Sequence, residues 1–225
     1  MKSKEEIILI NGVPFKFERE SWSHEPDEVI DKQLALECLN LTMCVLKESG
    51  IKPFLMWGTL LGAIRENNFI AHDYDMDVAI LGIDLHKIEN AIPLLYNNDV
   101  KLCKYKKGII YTFNYKGVYC DIYIIDKAPF PYSLRYYSIL ESFIPKQYFK
   151  SFREYNFVGV NVWVPENAEK FLEYAYGKNW RIPQKGRPGQ LMPRWMILEK
   201  MYYRIKRKIK YIRYKKFGYE DPDFF

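Results

Sequence analysis

Trp57-Gly58-Thr59-Leu60-Leu61-Gly62-Ala63-Ile64-Arg65, followed by His72-Asp73-Tyr74-Asp75-Met76-Asp77-Val78-Ala79-Ile80, is the stretch from which the fold can be read. Charged side chains are rare in buried strands, yet Asp73, Asp75 and Asp77 alternate immediately ahead of the apolar run from Val78 to Leu81. A strand repeats every two residues, so the three carboxylates are expected on one face while Met76 and Val78 enter the core. Adjacent anions repel unless something cationic sits among them, and hard oxygen donors suit Mg2+ or Mn2+. The competing reading is a solvated acidic turn, against which the apolar run argues. His72 is read as a packing or solvent residue, with phosphate binding as the alternative.

The residues before the aspartates complete a strand, a turn and a helix. Pro53 to Trp57 is expected to be a short buried strand ended by Gly58-Thr59, and Leu60 to Arg65 a short helix. Glycines at 58 and 62 would let backbone N–H groups approach phosphate oxygens at a helix N-terminus, with Arg65 reaching the same anion. No GK[ST] follows, so this is not a Walker loop, and no dinucleotide fingerprint is present. Further on, Val118-Tyr119-Cys120-Asp121-Ile122-Tyr123-Ile124-Ile125 has Asp121 as its single charge. A carboxylate in such a strand calls for a cation, a hydrogen-bond partner or a metal, unless it lies at a solvated strand end.

The surrounding pattern is mixed. Residues 5–19 read as two strands turning at Asn11-Gly12. Apolar residues at Ile30, Leu34, Cys38, Leu41 and Val45 give a helix over 27–49 that Gly50 stops. Ala71 to Leu81 is a predicted strand, Leu85 to Tyr96 a helix, and Val100 to Ile125 a strand-rich region with a turn at Gly117. Tyr132 to Phe149 reads as helical or irregular, Phe157 to Val164 as a strand pair, and Ala168 to Tyr176 as a helix ending at Gly177. Gln184 to Pro193 is a predicted loop and Leu198 to Lys216 a last helix. The expected class is α+β (mixed α/β), one sheet flanked by helices.

The 225 residues are 48% hydrophobic, enough for a substantial core and against general disorder. No run approaches the roughly 18–20 apolar residues a spanning helix needs, and no secretory signal is read at the start, so a cytoplasmic location is expected. Cys38, Cys44, Cys103 and Cys120 form no CxxC pair and are read as small buried hydrophobes. The net charge of +6 is unevenly placed. Residues 1–193 hold 24 basic and 24 acidic residues, whereas 194–216 hold 10 basic and one acidic. In the last helix Leu198, Ile205, Ile209 and Ile212 make an apolar stripe among lysines and arginines. That pattern suits peripheral contact with an anionic membrane through residues 198–216, or simply packing on the domain. The neutral remainder carries no nucleic-acid recognition motif, and no nucleic-acid partner is expected.

The block Gly58-Thr59-Leu60-Leu61-Gly62-Ala63-Ile64-Arg65, Ile70 and Asp73-Tyr74-Asp75-Met76-Asp77 resembles the signature of the LicD family, which includes bacterial phosphocholine transferases, fukutin and fukutin-related protein. Asp121 stands where that family has a later acidic residue, and Tyr176-Gly177-Lys178-Asn179-Trp180-Arg181-Ile182-Pro183 resembles a downstream element. The likeness spans about residues 51–183, with Tyr74 interrupting the acidic run. It implies a nucleotidyltransferase-type catalytic domain over 1–193, followed by the basic helix and short acidic tail of 194–225. It also implies a metal-dependent transferase that moves a phospho-alcohol from a CDP-linked donor to a glycan or lipid-linked glycan hydroxyl, releasing CMP. In that reading Asp75, Asp77 and Asp121 are catalytic and bind Mg2+ or Mn2+, with Asp121 as metal ligand or general base. Gly58, Thr59, Gly62, Arg65 and Asp73 then serve substrate binding, Asp73 by orienting its neighbours. Two other functions compete: a nucleotidyltransferase that releases pyrophosphate from an NTP, and a catalytically inactive protein that docks on a membrane or partner.

Overall fold

The computed structural model describes residues 4–21, 29–140 and 142–183. The chain divides into two compact units, residues 1–172 and 173–225. The predicted loop over 184–193, the helix over 198–216 and the boundary after 193 lie outside the described residues.

The first unit begins with an antiparallel hairpin, β1 (Lys4–Ile10) and β2 (Val13–Arg19). Its turn is made by Asn11 and Gly12, with φ of 50° and 79°, the left-handed pair the sequence called for. Helix α1 (Lys32–Glu48) opens at Asp31, whose carboxylate accepts from the backbone N–H groups of Gln33 and Leu34 at 2.9 and 3.0 Å. It ends before Gly50, at φ 71°. Strand β3 is only Phe54–Leu55, because the chain has already turned into α2 (Trp57–Glu66) where the sequence suggested strand continuing to Trp57. Strand β4 (Asp75–Leu81) starts four residues later than expected: Asp73 N–H donates to Ile70 O and Asp73 O accepts from Ile30 N–H, which holds that segment as a turn.

Helix α3 (Leu85–Asn97) leads to β5 (Lys101–Lys106), β6 (Ile110–Tyr115) and β7 (Val118–Lys127). The sequence left Tyr132 to Phe149 helical or irregular, and here the structure corrects it. Two short 3-10 turns flank a hairpin, β8 (Tyr136–Ile139) and β9 (Ser142–Pro145), with β8 paired to the end of β7. Tyr136, Tyr137, Ile139, Phe143 and Ile144 are residues at home on a pleated surface, but pairing with β7 decides the matter. A second hairpin, β10 (Phe152–Phe157) and β11 (Val160–Pro165), turns at Val158-Gly159, and α4 (Ala168–Tyr176) follows.

The main sheet runs in the order β3-β4-β7-β6-β5, and β8 and β9 continue it from β7. All neighbouring pairs are antiparallel except β4 and β7, which run parallel. Met76, Val78 and Ile80 of β4 and Cys120, Ile122 and Ile124 of β7 are buried on one face. Helix α1 lies against β7 there, with the Cys38 thiol hydrogen-bonded to that of Cys120. Three cysteines are buried as expected; Cys44 is exposed, and all four thiols are free. The architecture is the mixed α+β class read from the sequence.

In the second unit, the N–H of Gly177 donates to Glu173 O at 2.8 Å and ends α4, as predicted. The Arg181 guanidinium lies over the Trp180 ring at 4.2 Å. No helix among the described residues is long and apolar enough to cross a membrane.

Candidate active site

The two strands that carry the predicted carboxylates are neighbours. Asp77 stands opposite Asp121 across the parallel pair of β4 and β7, and Asp75 opposite Tyr119. Since side chains alternate, Asp75, Asp77, Tyr119, Asp121 and Tyr123 share the face opposite the apolar one. The strand carrying Asp121 follows β4 only after a helix and two strands, so its adjacency comes from topology.

Asp77 is the best anchored of these residues. Its backbone N–H donates to Thr59 Oγ1 at 2.8 Å, its carbonyl accepts from Met56 N–H at 3.0 Å, and its carboxylate Oδ2 accepts from Gly58 N–H at 2.9 Å. The first-turn N–H groups of a helix have no partner within it, so α2 presents Gly58 N–H to a carboxylate rather than to solvent. Trp57, just before, holds the left-handed φ of 42°, which a bulky residue seldom adopts. Its ring packs on Phe171 at 6.0 Å.

Asp73 lies outside the strand but reaches the same place. A Cβ on Gly58 would stand 2.9 and 3.2 Å from the two Asp73 carboxylate oxygens and 3.3 Å from Asp77 Oδ2. Two carboxylates thus close on the bare α-carbon of Gly58, and a side chain there would displace them.

The electrostatics follow from this crowding. Burial holds the Asp77 carboxyl well above the ordinary carboxylate range, and the charges of Asp75, Asp121 and Asp73 push it further, opposed by Gly58 N–H. Burial also raises Asp121, to about 6; Asp75 adds to the shift, while Thr112, Tyr123 and Lys104 oppose it. The Thr112 hydroxyl donates to Asp121 Oδ1 at 2.5 Å and the Tyr123 hydroxyl to Oδ2 at 3.3 Å. The Tyr123 phenol is itself pushed well up, by burial and then by Asp77, Asp121 and Asp75, so it remains a donor.

The other predicted residues fall differently. Thr59 is buried and its hydroxyl serves Asp77. Gly62 has a packing cause: a Cβ there would stand 2.4 Å from the Asn68 carbonyl oxygen, so the glycine lets α2 approach the chain that leads to Asp73. Arg65 sits in the last turn of α2, about 10 Å of helix rise from Gly58, with its guanidinium on the Glu66 carboxylate. Thr112, Tyr123 and Lys104 were not read from the sequence. Thr112 is a small hydroxyl in the largely aromatic β6, whereas Lys104 is one of three lysines in β5 and Tyr123 one of two tyrosines in β7, so neither of these stands out.

The donor set fits a hard divalent cation. Carboxylate oxygens converge at Gly58 with mutual repulsion that a cation would relieve. Among the described residues, no three His, Cys, Asp or Glu side chains close around one point. Mg2+ is commonly held by one or two carboxylates, with water and phosphate oxygens completing its shell.

Two solved structures resemble the chain at low identity. The crystal structure of ANT(2'')-Ia in complex with adenylyl-2''-tobramycin superposes with a TM-score of 0.43 and 15% identity, over 68% of this chain and 79% of that one. The solution structure of the antibiotic-resistance factor ANT(2'')-Ia does so with a TM-score of 0.46 and 12% identity, over 83% of this chain and 100% of that one. No curated protein matches the chain in sequence. The family model for the LicD/FKTN/FKRP nucleotidyltransferase domain matches residues 50–167, from just before β3 to just before α4, and therefore takes in both acidic strands. The chain belongs to the LicD family and carries its nucleotidyltransferase domain.

Proposed function

We propose that the protein transfers a phospho-alcohol from a CDP-linked donor to a glycan hydroxyl, releasing CMP. The observation that supports this most is the meeting of Asp73 and Asp77 over Gly58, with Asp121 beside Asp77 on the parallel strand. Asp75, Asp77 and Asp121 are the carboxylates from which one or two would hold Mg2+ or Mn2+, with water and phosphate oxygens completing its shell. When bound, such an ion offsets charge on the diphosphate and on the leaving CMP.

The chain's own residues account for the rest. The acceptor hydroxyl oxygen forms a bond to the phosphorus that carries the alcohol. The bond from that phosphorus to the bridging oxygen breaks, and CMP leaves with the electron pair. The hydroxyl proton passes to a carboxylate, and Asp121 is the residue for that task where it serves as base rather than as metal ligand. Gly58 N–H fixes Asp77 and Thr59 fixes the strand beneath it, while Asp73 closes the turn. Donor binding by Arg65 requires its guanidinium to leave Glu66.

The test is to incubate the full chain with Mg2+ and a panel of CDP-alcohols carrying choline, ribitol, glycerol or ethanolamine, and to follow CMP. Release of CMP with at least one donor, dependent on a glycan acceptor, is the expected result. Release of pyrophosphate from an NTP instead would assign the nucleotidyltransferase reaction, and no turnover with either class would favour a docking protein.

A further inference from the structure

Asp121 is gripped from two sides by hydroxyls that the sequence analysis did not single out. Thr112 faces it across the β6–β7 pair and donates to Oδ1 at 2.5 Å; Tyr123, two residues along the same strand, donates to Oδ2 at 3.3 Å. The Tyr123 hydroxyl also lies close to the Asp77 carboxylate, but its single proton is the one donated to Asp121. With a donor on each oxygen, the Asp121 carboxylate cannot rotate about its last torsion without breaking one of these bonds.

The grip belongs to a longer pattern. Lys104 pairs with Thr112, Thr112 with Asp121 and Asp121 with Asp77, so a cation, a hydroxyl and two carboxylates stand at one register level across four strands. The buried polar residues among those described are Thr42, Thr59, Asp77, Lys104 and Thr112, and all but Thr42 belong to this row or to the Gly58 turn beside it. A valine would fill position 112 with nearly the same shape and bury no hydroxyl, as the apolar Phe113 does beside it. Burial of a hydroxyl is unfavourable unless its hydrogen bond is made, and here the bond goes to the carboxylate.

We propose that Thr112 and Tyr123 are positioning residues that hold Asp121 in the orientation in which it meets the metal ion and substrate. This inference rests on the reading of Asp121 as part of the active site.

The experiment compares Thr112→Val, which keeps shape and loses the donor, with Thr112→Ser, Tyr123→Phe and Asp121→Asn, all in the full chain. Direct titration with Mn2+, followed by electron paramagnetic resonance, is read beside CMP release and melting temperature. Loss of such a supporting hydrogen bond typically costs about 10–100-fold in metal affinity or activity. Thr112→Val is expected to weaken Mn2+ binding and lower kcat by about tenfold or more, with donor KM within about twofold. Thr112→Ser should recover most of the loss. Tyr123→Phe should move both quantities the same way by less, because its bond is longer.

If Thr112→Val and Tyr123→Phe bind Mn2+ and turn over like the parent while Asp121→Asn fails in both, positioning is overturned and the site reading stands. If Asp121→Asn also behaves like the parent, the site reading falls and the inference with it. A rate loss in Thr112→Val that matches its loss of folded protein, with Mn2+ binding per folded molecule intact, overturns positioning as well.

Discussion

Strands β4 and β7 carry opposite chemistry on their two faces at the same register. On one, Met76, Val78 and Ile80 lie beside Cys120, Ile122 and Ile124, and none is more than 2% exposed. On the other, Asp75 and Asp77 lie beside Tyr119, Asp121 and Tyr123, and burial raises the carboxyl groups of Asp77 and Asp121 above their ordinary range. The apolar face gains from leaving water, whereas the acidic face gathers like charges that a folded chain would shed if stability were its only task. One set of hydrogen bonds therefore supports two surfaces, one that stabilises the sheet and one strained against it. Substitutions on the two faces should separate cleanly into effects on folding and effects on turnover.

The sharpest break is Asp77→Asn or Asp75→Asn. Each removes an oxygen charge from the acidic face and relieves repulsion there. Turnover is expected to fall by three orders of magnitude or more, roughly 4 kcal/mol of transition-state stabilisation. Melting temperature without metal should stay level or rise. CMP release and thermal unfolding in EDTA measure the two separately, and parental turnover in either variant would remove that residue from the site.

The mirror experiment is Ile80→Ala on the apolar face, where the side chain is fully buried. Loss of that volume should cost about 2–5 kcal/mol of stability, read as a lower denaturation midpoint. The rate per folded molecule should hold near the parental value.

How much of this contrast was legible depends on sequence distance. The alternation of Asp75, Met76, Asp77 and Val78 states both faces of β4 by itself, and the apolar run around Asp121 does the same for β7. The turn pair Asn11-Gly12 and the turn at Gly117 were legible too, because a left-handed φ restricts the residues allowed. Legibility stopped where partners come from remote strands. Thr112 looks unremarkable until β6 is placed beside β7, and Lys104 until β5 is placed beside β6. Gly62 misled for another reason: a glycine marks close approach without saying of what, and here it is the Asn68 carbonyl. The short β8 and β9 strands pattern too weakly to be told from irregular chain.

A third probe reads the strain on the acidic face directly. In metal-free protein the Asp121 carboxyl is raised from 3.8 to about 6. A carboxyl raised on folding contributes stability while protonated: fully below about pH 4, and lost as pH climbs through about 6. The parent should therefore lose roughly 2–3 kcal/mol over that window from this group. Asp121→Asn, which cannot ionise, should show a flatter profile, with its melting temperature gaining on the parent by about 5 °C between pH 4 and 7 in EDTA. Parallel profiles would mean that the Asp121 carboxyl ionises as easily folded as unfolded.

The smallest expected effect on stability tests the finest feature, the bare α-carbon of Gly58. In a helix alanine is favoured over glycine by about 1 kcal/mol, so Gly58→Ala should help α2. Its Cβ would meet the Asp73 carboxylate at 2.9 Å, however, and the Asp77 oxygen at 3.3 Å, so at least one of them must shift by a few tenths of an ångström. A short side chain can yield that much at modest cost, and the two contributions should nearly cancel, leaving the melting temperature within about 2 °C of the parent. Under the proposed function the site has less tolerance, since carboxylates displaced by a fraction of an ångström would no longer present their oxygens to an ion and a diphosphate. Turnover is expected to drop by about tenfold, roughly 1.4 kcal/mol, while Gly62→Ala, which forces its Cβ against the Asn68 carbonyl oxygen at 2.4 Å, should act mainly through lost stability. Equal loss of rate and of folded protein in both variants would show that Gly58 packs as Gly62 does and that the acidic face does not depend on it.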